Sequence, residues 1–235
     1  MLSSGRKAVL LGKVPLVVVR LDLRRLVLAS WPVDPGAAAR ALPPGLRPAL
    51  VDGESLVSVV GFRCVGGTVG RLPVVPFSQL NVRLYAEHDG EPAVFFLRSL
   101  VTAGGLPGFL IGAPYRLAWI RVREGEVSAP SQGLRIRYRV GLAEATPGLL
   151  GRHELGIFEE RGVRAFRVER GPADWRHAEA VGAPRVDLLR ALGFDVQGEP
   201  RVAYAPEASF ESEAPPRRLA LPAAQARSSA RRARR

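Results

Sequence analysis

A chain of 235 residues is long enough to bury roughly 70–75% of its unfolded surface in one core. Its single cysteine, Cys64, excludes a disulfide framework and fits a reducing, cytoplasmic compartment. The formal charge of +12 resembles that of a nucleic-acid binder, but ten of the 34 basic residues lie in 1–13 and 217–235, which hold no acid, and the rest is nearly neutral.

Residues 1–14 read as a flexible basic leader holding both lysines, Lys7 and Lys13. The apolar run from Ala8 to Val19 is broken by Lys13 and Pro15 and is too short to span a bilayer. It lacks a small-residue cleavage site, so neither membrane insertion nor a signal peptide is expected. The β-branched run from Val14 to Leu28 predicts a first strand. Asp34 suits a helix N-cap and Pro35 the first helical position, while Pro43 and Pro44 stop the helix within about two turns. These signals predict a short helix over 35–42.

Leu46–Leu50 and Ser55–Cys64 predict two strands around an Asp52-Gly53 turn, the second apolar on both faces and therefore central. Gly66 to Pro76 reads as a loop. Phe77–Tyr85 then alternates with a period of two, with Gln79, Asn81, Arg83 and Tyr85 on one face and Leu80, Val82, Leu84 and Ala86 on the other. Asp89-Gly90 signals a hairpin into the apolar run from Ala93 to Val101. Thr102–Pro114, rich in glycine, reads as a loop. Ala118–Arg123 and Leu134–Leu142 are expected to pair as strands, followed by a helical turn over 147–152 and a strand over 163–170. Pro184–Leu192 has the spacing of a second short helix stopped by Gly193. Arg201–Tyr204 and Ala208–Ser212 are short late strands, and 214–235 reads as a disordered Arg-rich tail.

Many short strands, two short helices and no βαβ rhythm predict a mainly β (β-rich α+β) fold, one domain over 15–213, its antiparallel sheet curled or closed into a barrel. Two readings stay open for Gln79, Asn81, Arg83 and Tyr85: a wetted strand face, or an inward face whose planar donors suit a carboxylate or carbonyl, with Arg83 making paired hydrogen bonds. Tyr115, after the Gly-rich loop, either closes that pocket as a weak acid or packs as an ordinary aromatic. Arg121, Arg123, Arg135, Arg137 and Arg139 alternate with apolar residues and, if their strands pair, share one face, either an anion or nucleic-acid surface or a solvated face relieved by Glu124 and Glu126. The scarcity of interleaved aromatics favours the solvated face. His88, His153 and His177 lie apart and no ligand spacing occurs, so no metal or cofactor is expected.

Trp31-Pro-Val-Asp-Pro, Leu42-Pro-Pro-Gly-Leu46, Phe77-x-x-x-Asn81-x-Arg83-x-Tyr85, Phe95-Phe96, Pro114-Tyr115-x-x-Ala118 and Arg201-Val-Ala-Tyr204 succeed one another in an order that resembles the YqjF-like proteins. These form a domain-of-unknown-function family related by fold to acetoacetate decarboxylase. The resemblance implies an antiparallel β-barrel of the acetoacetate-decarboxylase-like type with an interior pocket for a small-molecule ligand. In the decarboxylases an interior lysine forms a Schiff base with a 3-oxo acid. Here the corresponding stretch reads Ala113-Pro-Tyr-Arg116, and no lysine lies beyond residue 13. A guanidinium stays protonated and cannot replace it, so that chemistry is not expected. Gln79 also stands where the family commonly has Glu. The rival reading is anionic-surface or nucleic-acid binding through the Arg-rich tail, unless that tail only aids solubility.

Overall fold

The computed structural model describes residues 10–11, 17–105, 108, 112–145, 155–160 and 162–220. A two-residue strand β1 (Leu10–Leu11) precedes the long β2 (Val17–Val33) and the helix α1 (Pro35–Ala41). The helix begins as its sequence dictates: Asp34 Oδ2 accepts from Ala37 N–H at 2.7 Å. Short strands β3 (Arg47–Pro48) and β4 (Leu50–Val51) lead to β5 (Glu54–Val69), β6 (Leu72–Pro73), β7 (Phe77–His88) and β8 (Glu91–Val101). Asp89 and Gly90 join β7 to β8 with φ of +50° and +79°, the double positive φ of a tight hairpin turn.

Three short strands come next: β9 (Tyr115–Leu117), β10 (Arg121–Arg123) and β11 (Glu126–Ala129). The second half adds β12 (Leu134–Glu144), β13 (Leu155–Glu159), β14 (Val163–Arg170), β15 (Arg176–Ala180), β16 (Arg185–Val186), α2 (Asp187–Ala191), β17 (Arg201–Ala214) and β18 (Arg217–Leu219).

Seven of these strands close a ring in the order β2, β5, β7, β8, β13, β14, β17 and back to β2. Every pair in the ring is antiparallel except β8 with β13. Among the described residues, the mainly β fold with a closed barrel and two short α-helices is therefore the observed one. Closure leaves the ring no free edge.

A second sheet leaves the ring at β17. The first half of β17 pairs with β15, β15 with β12, and β12 with β11 and then β10. Pro206 stands where β17 changes partner, opposite the Arg25 bulge of β2, at a position with no ladder pairing. A residue without an N–H costs no hydrogen bond there.

The larger apolar core lies outside the ring. Val57, Val59, Leu80, Val82 and Leu84 face outward and pack with Val127, Ile136, Leu134 and Leu189 of the second sheet and α2. The smaller apolar cluster, with Leu21, Leu23, Val60, Phe62 and Cys64, lines the ring's interior. β7 is thus buried on both faces, one against each cluster.

Several expected boundaries change. Gly66–Pro76 is not all loop: β5 runs on to Val69, and Gly67 at φ +128° lets it approach Arg20, whose carbonyl oxygen would lie 2.0 Å from any Cβ there. Ala118–Arg123 and Leu134–Leu142 do not pair directly, because β11 lies between β10 and β12 after the turn at Gly125. The second helix is shorter than 184–192, since Arg185 and Val186 are drawn into pairing with Arg135 and Leu134. The two late strands are one, β17. At the ends, Leu10 and Leu11 pair with Leu219 and Arg218, so the leader expected over 1–14 and the tail expected from 214 each contribute strand. The helical turn at 147–152, His153 and residues 221–235 lie outside the described residues.

Candidate functional site

Alternation on β7 sends Gln79, Asn81 and Arg83 into the barrel, where all three are buried and line a cavity of about 290 Å³. β5 and β8 flank them in register: Phe62 and Val101 beside Gln79, Val60 and Ser99 beside Asn81, Ser58 and Phe96 beside Arg83. The far wall comes from β2, β14 and β17 and is largely apolar, with Leu21, Leu23, Phe166, Val168 and Phe210. Phe62 and Phe210 meet edge to face across it at 6.3 Å. Exposed Arg170 and Glu213 mark its rim.

The polar strip is incompletely satisfied. Gln79 Nε2 donates to Asn81 Oδ1 at 2.9 Å, while Gln79 Oε1 is buried without a partner among the described residues. Arg83 Nη2 lies 3.5 Å from the Tyr85 hydroxyl and the guanidinium sits 5.6 Å from that ring's centre. Arg83 Nε has no hydrogen-bond partner, and no carboxylate forms an ion pair with this arginine, among the described residues. A buried guanidinium facing apolar walls is electrostatically costly unless a counter-charge reaches it.

Tyr85 does not line the cavity. It lies behind Arg83 against Val51, Leu56 and Val94, and its hydroxyl accepts from Ser58 Oγ at 3.2 Å, which in turn shares a 2.7 Å hydrogen bond with Ser30. The resulting chain from Ser30 to Arg83 anchors the guanidinium from below. Tyr115 does line the cavity, and burial pushes its phenol up to about 12, opposed by a hydrogen bond from Gln79. The Tyr115 hydroxyl therefore stays protonated across the physiological range. Burial likewise pushes the Cys64 thiol up to about 11, and its Sγ is held on the Gly66 carbonyl at 3.2 Å, so it packs as a small apolar group.

In the stretch where a Schiff-base lysine is sought, Ala113, Pro114 and Tyr115 line the cavity and Arg116 is exposed. The five arginines of the second sheet share one exposed face, where Glu126 takes both Nε and Nη2 of Arg135 at 2.9 and 2.7 Å. Those hydrogen bonds and charges hold the Glu126 carboxyl below its usual range against its own burial. Sequence reading missed Leu21, Leu23, Phe166, Val168 and Phe210 as cavity walls. Only the inward alternation of three strands far apart in sequence brings them together. Among the described residues no three of His, Cys, Asp or Glu cluster, and no helix is long and apolar enough to cross a membrane.

The family model DUF2071, described as an uncharacterized conserved protein, matches residues 20–209. No curated protein matches the chain. Among solved structures, the acetoacetate decarboxylase of Legionella pneumophila aligns with a TM-score of 0.60 at 11% identity, covering 86% of this chain and 87% of that one. An acetoacetate decarboxylase-like enzyme from Sphingomonas wittichii RW1 aligns at 0.57 and 16%, covering 87% and 94%. The enduracididine biosynthesis enzyme MppR complexed with pyruvate aligns at 0.56 and 17%, covering 86% and 90%. At such identities the likeness is one of fold, and that fold is the acetoacetate-decarboxylase-like barrel.

Proposed function

The chain belongs to the DUF2071 family, and from its barrel interior we propose that it holds a small carboxylate- or carbonyl-bearing molecule, for binding or for lysine-independent chemistry. The observation that carries this is Arg83, a buried guanidinium with a free Nε and no carboxylate partner among the described residues. A ligand carboxylate supplies the missing charge and accepts from Nε and a terminal N–H together. Asn81 and Gln79 extend the strip with amide groups for a neighbouring oxygen, and Tyr115 adds a neutral hydroxyl. Proton transfer in this pocket falls to Tyr115, because its buried lining holds no carboxylate, histidine or lysine among the described residues. Schiff-base decarboxylation is outside this reading.

The test is thermal unfolding of the full chain against a panel of carboxylates, oxo acids and simple alkanoates alike, with pyruvate, the ligand seen in MppR, among them. A ligand at a hundred times its Kd stabilises by about 2.7 kcal/mol. Arg83→Ala should lose that stabilisation. No stabilisation by any acid, or undiminished stabilisation of Arg83→Ala, defeats the proposal.

A second reading is supported by the charge distribution alone: the Arg-rich end binds anionic surfaces or nucleic acid. Such binding falls steeply with salt and ignores sequence. Because Arg217–Leu219 is strand, the deletion that tests it removes residues 221–235. DNA binding that survives this deletion rules the tail out.

A further inference from the structure

Resting on the reading of Arg83 as a carboxylate anchor, we infer that the ligand is an amphipathic monocarboxylate with an apolar chain, rather than a small oxo acid. The buried polar side chains of the cavity, Gln79, Asn81, Arg83 and Ser99, all come from β7 and β8. β14 and β17 stand opposite β7 in the seven-strand ring and add polar groups (Arg170, Ser209, Ser212 and Glu213) only at exposed or half-buried positions. From that side come Phe166, Val168 and Phe210, joined by Leu21 and Leu23 of β2. A ligand that reaches Arg83 therefore presents its other end to aliphatic and aromatic carbon.

The volume sets the length. An engineered apolar cavity of about 150 Å³ takes a benzene ring, so about 290 Å³ accommodates on the order of ten heavy atoms. Hexanoate and octanoate match that size, whereas pyruvate leaves much of the apolar wall uncovered and sets a ketone against carbon. Oxygen atoms set against Phe166, Val168 and Phe210 lose their water without gaining a partner there, the polar groups of that side lying at its exposed or half-buried positions. Each methylene packed against it tightens binding about fourfold.

The experiment is titration calorimetry on the full chain with acetate, butanoate, hexanoate and octanoate, beside 1-hexanol, pyruvate and acetoacetate. Affinity should rise about fourfold per methylene as far as hexanoate, and hexanoate should exceed 1-hexanol at least tenfold. Pyruvate or acetoacetate binding as tightly as hexanoate overturns the apolar-chain inference and leaves the Arg83 anchor standing. Hexanol binding as tightly as hexanoate overturns the anchor itself, and the absence of binding by every compound overturns both.

Discussion

Arg83 and Tyr85 lie two residues apart on the same face of β7, the guanidinium 5.6 Å from the ring centre and Nη2 3.5 Å from the hydroxyl. The ring gives the cation a weak electrostatic partner and a fixed direction, but no neutralising charge. Ser58 and Ser30 continue the support behind it, so the side chain is held from one side and open toward the cavity on the other. Taken with the proposed carboxylate site, this arrangement trades stability for binding.

Arg83→Met tests that trade. An uncompensated buried charge is costly, and replacing buried ionic groups with apolar ones of similar volume is often neutral or stabilising by about 1–4 kcal/mol. Urea unfolding should show Arg83→Met at least as stable as the wild type while carboxylate binding disappears. A loss of more than about 1 kcal/mol would mean that the Tyr85 contact outweighs the charge's desolvation.

Tyr115 gives a pH signature. Its phenol titrates near 12 when folded and near 10 when unfolded. Below pH 10 both states are protonated and the contribution is complete; as pH rises from 10 toward 12 the unfolded state releases its proton first, and stability falls. Tyr115→Phe has no such proton, so its urea midpoint should drop less than that of the wild type across this window. Tyr138, also shifted up by burial, is common to both proteins and cancels in the comparison. Equal losses in the two proteins would place the Tyr115 hydroxyl in water.

β7 was legible because its two faces differ in chemistry, and period-two alternation survives whichever face is inward. What alternation cannot say is that a second sheet covers the outer face, which decides that Gln79, Asn81 and Arg83 are the inner set. β13 escaped detection for a different reason. Leu155-Gly-Ile-Phe-Glu159 is short and apolar, and its parallel partner, beginning at Ala93, has no turn in sequence to announce it. β17 was split in two at Pro206, because the Arg25 bulge that makes a proline harmless there belongs to a strand some 180 residues earlier. The leader and tail hid a pairing between Leu10–Leu11 and Arg218–Leu219 for the same reason of distance.

Gly61 tests how the second sheet seats on the barrel. It lies on β5 between inward-facing Val60 and Phe62, and a Cβ there would come within 2.4 Å of Val127 Cγ2 on β11. Gly61→Ala should cost about 1–3 kcal/mol by overpacking. Adding Val127→Ala should recover part of that loss, so the two substitutions couple rather than add. Additive losses in the urea cycle would show that β11 moves aside freely.

The fold neighbours make one chemical prediction necessary, and it is negative. Schiff-base decarboxylation of a 3-oxo acid requires an amine that is neutral near pH 7 within an apolar pocket, and among side chains only lysine supplies it readily. The chain's two lysines, Lys7 and Lys13, both precede β2. The cavity wall that continues from the Gly-rich loop offers Ala113, Pro114 and Tyr115, none of which can form an imine, and Arg116 is exposed. Incubation with acetoacetate should release no carbon dioxide above the uncatalysed rate, and borohydride should leave the protein's mass unchanged. A reduced adduct on Lys13 would falsify this and would bring the leader into the chemistry of the barrel. An unchanged mass combined with stabilisation by carboxylates would separate the two properties of the fold, the anion-holding interior and the covalent step. In that case Arg83 holds the carboxylate in a barrel from which the imine-forming amine is missing.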